Sequence, residues 1–141
     1  MSRKKILIVD DNEVIVTTLS MKLRANNYDI VTAADGSEAV SAVRQQRPDL
    51  IVLDVSFPPD VAHGGGVPWD GFRIIQWLRR MEEAKNTPII IITGGEAGKY
   101  KQKALAEGAV AFFQKPIDNT ELLATITKAL EGQNAAPAPA G

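Results

Sequence analysis

Three short segments of this chain are apolar at every position. They cover residues 6–9, 50–53 and 89–92, and they read Ile-Leu-Ile-Val, Leu-Ile-Val-Leu and Ile-Ile-Ile-Ile. A strand with one face in water alternates apolar and polar side chains, whereas a strand that is covered on both faces does not. These segments therefore predict the central strands of a parallel sheet that is buried on both sides.

Weaker patterns complete the predicted fold. Residues 29–33 and 110–114 predict two further strands, which makes five in total. Apolar residues at helical spacing predict helices at 13–25, 37–46, 71–83 and 97–107, and a last helix between Asp118 and Gly132. An alternation of strands and helices favours right-handed crossovers. The predicted class is α/β, a doubly wound five-stranded parallel sheet with helices on both faces.

Local patterns predict where the last helix begins and which side chains of the helices and of the last strand are buried. In the last helix, Asp118 is followed three residues later by Glu121, which resembles a capping box. In the last strand, the adjacent Phe112 and Phe113 point to opposite faces, so we expect one to be buried and the other to lie nearer the surface. The expected buried stripes are Ile15, Leu19 and Leu23 in the first helix, Ile74, Leu78 and Met81 in the third, and Leu123, Ile126 and Leu130 in the last.

Length and composition indicate one domain. With 141 residues, of which 45% are hydrophobic, the chain can bury one core without disulfides. We expect this domain to span residues 1–132. Residues 57–69 contain three prolines and three glycines and predict a long inserted loop after the third strand. Residues 133–141, rich in Ala and Pro, predict a disordered tail or a truncated linker.

Charge and residue usage exclude several functions. Sixteen Lys and Arg against 17 Asp and Glu give a net charge of −1, so no positive field recruits nucleic acid or anionic lipid directly. The absence of cysteine excludes thiolate zinc sites and cysteine nucleophiles. No segment resembles a signal peptide or a membrane span, so we expect a cytoplasmic protein.

Polar side chains follow four of the predicted strands. Asp10 and Asp11 follow the first, Asp54 the third, Thr93 the fourth and Lys115 the fifth. These strand ends meet at one edge of the sheet, and three carboxylates brought together there repel one another unless a cation lies among them. Mg²⁺ suits such hard oxygen ligands. The set predicts a magnesium site at which Asp54 attacks phosphorus, while Lys115 and Thr93 bind phosphoryl oxygens.

These residues and their neighbours resemble the receiver domains of two-component systems, the CheY-like response regulators, over residues 4–132. The resemblance implies a flavodoxin-like fold and a signalling switch that catalyses only its own phosphorylation and dephosphorylation. The matching motifs are Ile-Val-Asp10-Asp11, Val-Leu-Asp54, Asp70-Gly71-Phe72, Ile-Ile-Thr93-Gly94, Glu107-Gly108-Ala109 and Phe112-Phe-Gln-Lys115-Pro116.

The resemblance also implies which residues bind the metal and the phosphoryl group. Asp54 would accept the phosphoryl group from a phosphohistidine on a sensor histidine kinase or a histidine phosphotransfer protein. Asp11, Asp54 and the backbone carbonyl of Ser56 would bind Mg²⁺, and Asp10 would act through a bound water. Lys115 would pair with Asp54 and then with the phosphoryl oxygens.

A second implication concerns the output of the signal. Thr93 and Phe112 would form a switch pair in which the hydroxyl moves toward the phosphoryl group and the ring turns inward. The Lys115–Pro116 bond would be cis, as proline permits. The surface formed by the helix at 97–107, the last strand and the last helix would then bind a downstream effector protein. Oligomeric state does not follow from the sequence.

The chain departs from the family pattern at two places. Eleven residues, 59–69, separate Pro58 from Asp70, where the family usually has a couple. The insertion begins after Ser56, so the metal-binding carbonyl should survive, but we expect the loop over the site to differ in shape from the family pattern. Ser56 and Gly95 occupy positions at which the family tunes the lifetime of the phosphoryl group, and neither is bulky or charged.

Three other interpretations stay open at this stage. Asp10 or Asp11 taken alone could simply cap the helix that starts near Glu13. An aspartate-nucleophile hydrolase of the haloacid dehalogenase type would also use Mg²⁺, but it needs an acid at the position of Ser56. A degenerate receiver would bind partners without being phosphorylated, and the complete set of strand-end residues argues against it.

Overall fold

A computed structural model describes residues 4–54, 71–93, 102, 105–106, 108–114 and 117–134. Within these residues, the strands are β1 (Lys5–Val9), β2 (Asp29–Ala33), β3 (Leu50–Asp54), β4 (Ile89–Thr93) and β5 (Ala111–Gln114). The helices are α1 (Glu13–Ala25), α2 (Gly36–Gln46), α3 (Gly71–Arg79) and α4 (Asn119–Asn134). Of the predicted helix at 97–107, only Gln102, Leu105 and Ala106 are described, and all three are helical.

The strands form one parallel sheet in the order β2-β1-β3-β4-β5. The central strands β1, β3 and β4 are the three segments with continuous apolar sequence, and their apolar residues are at most 1% exposed. Burial on both faces is the reason that these strands contain no polar alternation. The predicted doubly wound α/β fold is therefore confirmed.

Two separate hydrophobic cores lie on the two faces of the sheet. On one face, Leu7 and Val9 of β1 pack in a cluster with residues of α2 and α3. On the other face, Ile6 and Ile8 pack in a cluster with residues of α1 and α4. Successive residues of a strand point to opposite faces, so each central strand contributes to both cores. Among the described residues, no helix is long and apolar enough to cross a membrane.

The predicted helix stripe is confirmed in the α3 segment, is confirmed for two of its three residues in α1, and is shifted at one position in α4. Leu19, Leu23, Ile74, Leu78 and Met81 are buried, and Ile15 is partly buried against its cluster. In α4 the fully buried residues are Leu122, Ile126 and Leu130, four positions apart, whereas Leu123 is only partly buried. The helix also continues past Gly132 to Asn134.

Helix α3 ends at Arg79, four residues before the predicted end at residue 83. Met81 is nevertheless buried, because the chain turns tightly after the helix, with the Met81 amide donating to the Leu78 carbonyl at 3.0 Å. The Arg79 guanidinium stabilises this turn by donating to the carbonyls of Thr87 at 2.7 Å and Ala84 at 3.1 Å. It also donates to Gly108 at 3.1 Å, which ties the turn to the segment that leads into β5.

Burial lowers the pKa of Arg79, because desolvation disfavours the charged guanidinium. The carbonyl oxygens around it offset part of that cost, since charge-assisted hydrogen bonds are stronger than neutral ones. Gly108 has a φ of +99°, and a Cβ built there would lie 3.4 Å from Nε of Arg79. Glycine is favoured here by the positive φ, since a Cβ at that distance would make only an ordinary contact with the arginine.

The prediction that one of Phe112 and Phe113 is buried and the other near the surface is wrong. Both rings are partly buried. Phe112 packs against the cluster that includes α2 and α3, and Phe113 against the cluster that includes α1 and α4. The two side chains do point to opposite faces, but each face of the sheet has its own core.

Replacement of Ser20 by Ala is expected to stabilise the fold. Ser20 lies in α1 and is 5% exposed, and its Oγ has no hydrogen-bond partner among the described residues. A buried hydroxyl without a partner costs about 1 kcal/mol or more. Ser41→Ala is the control, because Ser41 is an exposed residue of α2 and reports helix propensity alone. Urea denaturation should show a larger gain at Ser20 than at Ser41; equal gains would contradict the assignment of an unpaired hydroxyl.

Candidate metal-binding site

The site lies where the order of the strands reverses. Strand β1 pairs with β2 on one side and with β3 on the other, so the chain winds away from β1 in both directions. In open α/β sheets, ligands bind outside the carboxyl ends of the strands at such a point. Val9 pairs with Leu53 in the β1–β3 register, and this places the next residues, Asp10 and Asp54, side by side at that edge.

Three carboxylates converge at this edge. One oxygen from each of Asp10, Asp11 and Asp54 lies within 4.8 Å of the others. Asp10 and Asp54 are 4% and 2% exposed, whereas Asp11 is exposed. Like charges at this separation repel strongly where water is excluded. A divalent cation among the oxygens offsets that repulsion, and carboxylate oxygens are the ligands that Mg²⁺ prefers. The donor set therefore fits magnesium.

Local hydrogen bonds fix the position of Asp10. Its backbone amide donates to the Ala33 carbonyl at 3.1 Å, which extends the pairing of β1 with β2 by one residue. Its side-chain Oδ1 accepts a hydrogen bond from the backbone amide of Asn12 at 2.9 Å. The main chain and the carboxylate of Asp10 are thus held by two different segments.

Asn12 is the residue that caps α1. Its side-chain Oδ1 accepts hydrogen bonds from the amides of Val14 at 3.0 Å and Ile15 at 3.3 Å. The alternative in which Asp10 or Asp11 caps this helix is therefore wrong. Asn12 was not predicted as the cap, although an asparagine directly before the first residue of a predicted helix is a strong cap signal. Asp10 and Asp11 are left to form the acidic cluster.

The other predicted site residues are only partly described. Thr93 ends β4 and pairs with Gln114 of β5, so its backbone lies at the same edge of the sheet. Phe112 lies in β5, paired with Ile91, and is partly buried. The side chain of Thr93 and the residues Ser56, Lys115, Pro116 and Gly95 lie outside the described residues, as does the predicted insertion at 57–69.

This chain is similar to a known protein family and to known proteins over most of its length. The family model of the response regulator receiver domain matches residues 6–127. The alkaline phosphatase synthesis transcriptional regulatory protein PhoP of Bacillus subtilis is 37% identical over 123 residues, which are 87% of this chain and 47% of that protein. The response regulator PleD of Caulobacter vibrioides is 34% identical over 122 residues, 86% of this chain and 25% of that protein. The chain thus spans half or less of the length of these relatives.

Solved structures of similar fold cover nearly all of the chain. The chemotaxis response regulator CheY4 of Vibrio cholerae superimposes with a TM-score of 0.76 at 31% identity, over 91% of this chain and 99% of that one. The receiver domain of the sensor histidine kinase PA1611 of Pseudomonas aeruginosa PAO1 has a TM-score of 0.76 at 27% identity, over 92% and 99%. In that structure a magnesium ion is coordinated in the active-site cleft.

The match to the family model extends through both hydrophobic cores and includes all three carboxylates of the acidic cluster. The fold and the sequence relatives agree with that match. This chain belongs to the response regulator receiver domain family.

Proposed function

We propose that this chain is the phosphoacceptor of a two-component phosphorelay and that Asp54 carries the phosphoryl group. The observation that supports this most directly is the convergence of Asp10, Asp11 and Asp54 at the carboxyl edge of the sheet. Asp54 ends a central strand and is held in a rigid, buried position, which suits a nucleophile that must be oriented. We place this reaction in the cytoplasm, where the family works.

Mg²⁺ would be held by the side chains of Asp11 and Asp54 and by the backbone carbonyl of Ser56, with Asp10 acting through a bound water. When bound, the metal neutralises the negative charge of the phosphoryl oxygens as they approach the carboxylates. The exposure of Asp11 leaves it accessible from solvent, whereas Asp10 and Asp54 are shielded by the sheet and its helices.

In the proposed reaction, a carboxylate oxygen of Asp54 attacks phosphorus and forms an acyl phosphate. The bond between phosphorus and the imidazole nitrogen of a phosphohistidine breaks, and its electron pair stays on that nitrogen. The donor is a sensor histidine kinase or a histidine phosphotransfer protein. Lys115 and Thr93 bind the phosphoryl oxygens, and such contacts supply the positioning and charge neutralisation that phosphoryl transfer needs.

We further propose that phosphorylation shifts the protein between two states through Thr93 and Phe112. Phe112 lies in the edge strand β5 and is only partly buried, so its ring can turn inward without first leaving a tightly packed core. The change alters the affinity of a protein effector for the surface that includes β5 and α4. An effector that bound the phosphorylated protein and Asp54→Ala equally would contradict this proposal.

The receiver unit that we propose ends near the end of α4. The boundary predicted at residue 132 shifts to Asn134, because the helix continues to that residue. Residues 57–69 remain the proposed insertion, and residues 135–141 the proposed tail or linker.

The first prediction concerns the phosphoacceptor. Incubation with acetyl phosphate and MgCl₂ is expected to add one phosphoryl group, detected by intact mass. The gain should vanish when EDTA replaces MgCl₂, and also in Asp54→Ala. A wild-type protein that gains nothing would favour the degenerate receiver that binds partners without phosphorylation, and a phosphorylated Asp54→Ala would place the acceptor elsewhere.

The second prediction concerns the metal. Asp11→Asn is expected to weaken Mg²⁺ binding roughly tenfold or more, because it removes a direct ligand of the metal. The loss of a residue that only hydrogen-bonds to a ligand already weakens binding by about that factor. Asp11 is exposed, so the variant should fold. NMR titration with MgCl₂ measures the affinity. Glu13→Gln, an exposed acid in the first turn of α1, is the control for charge alone. Equal losses in the two variants would argue against a ligand role for Asp11.

The third prediction concerns the switch. Phosphorylation with acetyl phosphate is expected to change hydrogen exchange at residues 108–114, and Phe112→Leu should reduce this change while the protein is still phosphorylated. Phe113→Leu is the matched control, because Phe113 packs on the opposite face of the same strand. If both leucine variants respond alike, the assignment of the switch to Phe112 is wrong.

A further inference from the structure

Asn12 connects the acidic cluster to the first helix through two kinds of hydrogen bond. Its side-chain Oδ1 accepts from the amides of Val14 and Ile15 in the first turn of α1. Its backbone amide donates to Oδ1 of Asp10 at 2.9 Å. The side chain therefore faces the helix while the main chain faces the cluster, and one residue contacts both.

The side chain of Asn12 restricts the direction of its own backbone amide. The cap holds residue 12 in an extended conformation, with φ −90° and ψ 106°. Its carbonyl oxygen also accepts from the Val16 amide at 3.0 Å, so residue 12 is anchored to α1 at two atoms. An amide held in this way offers Asp10 a hydrogen bond in a fixed direction.

The hydrogen bond from the Asn12 amide contributes to the orientation of the Asp10 carboxylate. The backbone of Asp10 is already fixed by the bond from its amide to Ala33 in the neighbouring strand. The Asn12 amide restrains rotation about the side-chain bonds of Asp10 by donating to Oδ1. A carboxylate restrained at one oxygen is better preorganised, and preorganised ligands bind metals more tightly than mobile ones.

We propose that Asn12 is a positioning residue for magnesium, which sets the affinity of the acidic cluster by orienting Asp10 through the cap of α1. This inference rests on the proposed function of the cluster. Asn12 is exposed and carries no charge, so it adds no further repulsion to the three carboxylates. Its contribution is the geometry of the cap, which Ser can reproduce and Ala cannot.

The test is an NMR titration with MgCl₂ alone, which follows the amide signals of residues 10–12. Asn12→Ala is expected to weaken Mg²⁺ binding on the order of tenfold. This is the lower end of the range for losing a residue that hydrogen-bonds to a metal ligand, because the backbone amide of residue 12 is still present in the variant. Asn12→Ser should restore most of the affinity. After correction for the intrinsic difference between Asn and Ala, the amide proton of residue 12 should still shift upfield in Asn12→Ala as its bond to Asp10 weakens.

A second helix supplies the matched control for cap loss. Asp118 Oδ1 accepts from the amides of Thr120 at 2.9 Å and Glu121 at 3.2 Å, the same pattern at the start of α4. Asp118→Asn removes the charge and keeps a cap, whereas Asp118→Ala removes both. The ratio of Mg²⁺ affinities between these two variants isolates the effect of losing a cap, and it should be close to one.

The outcomes separate this inference from the proposed function. A wild-type protein whose residues 10–12 do not respond to MgCl₂ would overturn both. Wild-type binding with unchanged affinity in Asn12→Ala would overturn the role of Asn12 alone. Asn12→Ser as weak as Asn12→Ala, or equal losses from Asn12→Ala and from the cap of α4, would overturn it as well. A selective loss at Asn12 that Ser restores supports it.

Discussion

The parallel pairing of β1 with β3 organises both the hydrophobic cores and the acidic cluster. Both strands are apolar throughout and buried on both faces, and their register pairs Val9 with Leu53. A slip by one residue would turn every side chain of one strand to the other face, and the two hydrophobic cores resist it. The same register carries Asp10 and Asp54 to the edge together, so the packing of the core determines the spacing of the carboxylates.

The acidic cluster works against the stability that the cores supply. Burial of Asp10 and Asp54 beside Asp11 costs free energy in the absence of a cation, because repulsion is weakly screened there. Hydrogen bonds to neighbouring elements hold Asp10 in this arrangement. Strand β2 binds its backbone amide, and the backbone amide of Asn12 at the start of α1 binds its carboxylate. Under the proposed function, a site assembled by rigid elements would bind a metal and a phosphoryl group without a large rearrangement.

Most of the fold followed from local patterns, and the differences arise where the chain meets distant segments. Burial imposes a period on the sequence. We could therefore predict the strands, the sheet covered on both faces, and most of the buried stripes of α1 and α3. Helix α3 ends early at Arg79, whose side chain reaches carbonyls of the following turn and of Gly108. Phe112 and Phe113 are both half-buried, because each face of the edge strand has its own core.

From the sequence alone it follows that Asp10, Asp11 and Asp54 come at the ends of central strands, and hence that they share one edge of the sheet. Burial patterns and parallel topology are sufficient for that conclusion. The folded structure was needed to show that Asn12, and not an aspartate, caps α1, and that its amide donates a hydrogen bond to Asp10. The direction of a hydrogen bond depends on the dihedral angles of the loop after β1, and many angles are compatible with the same residues.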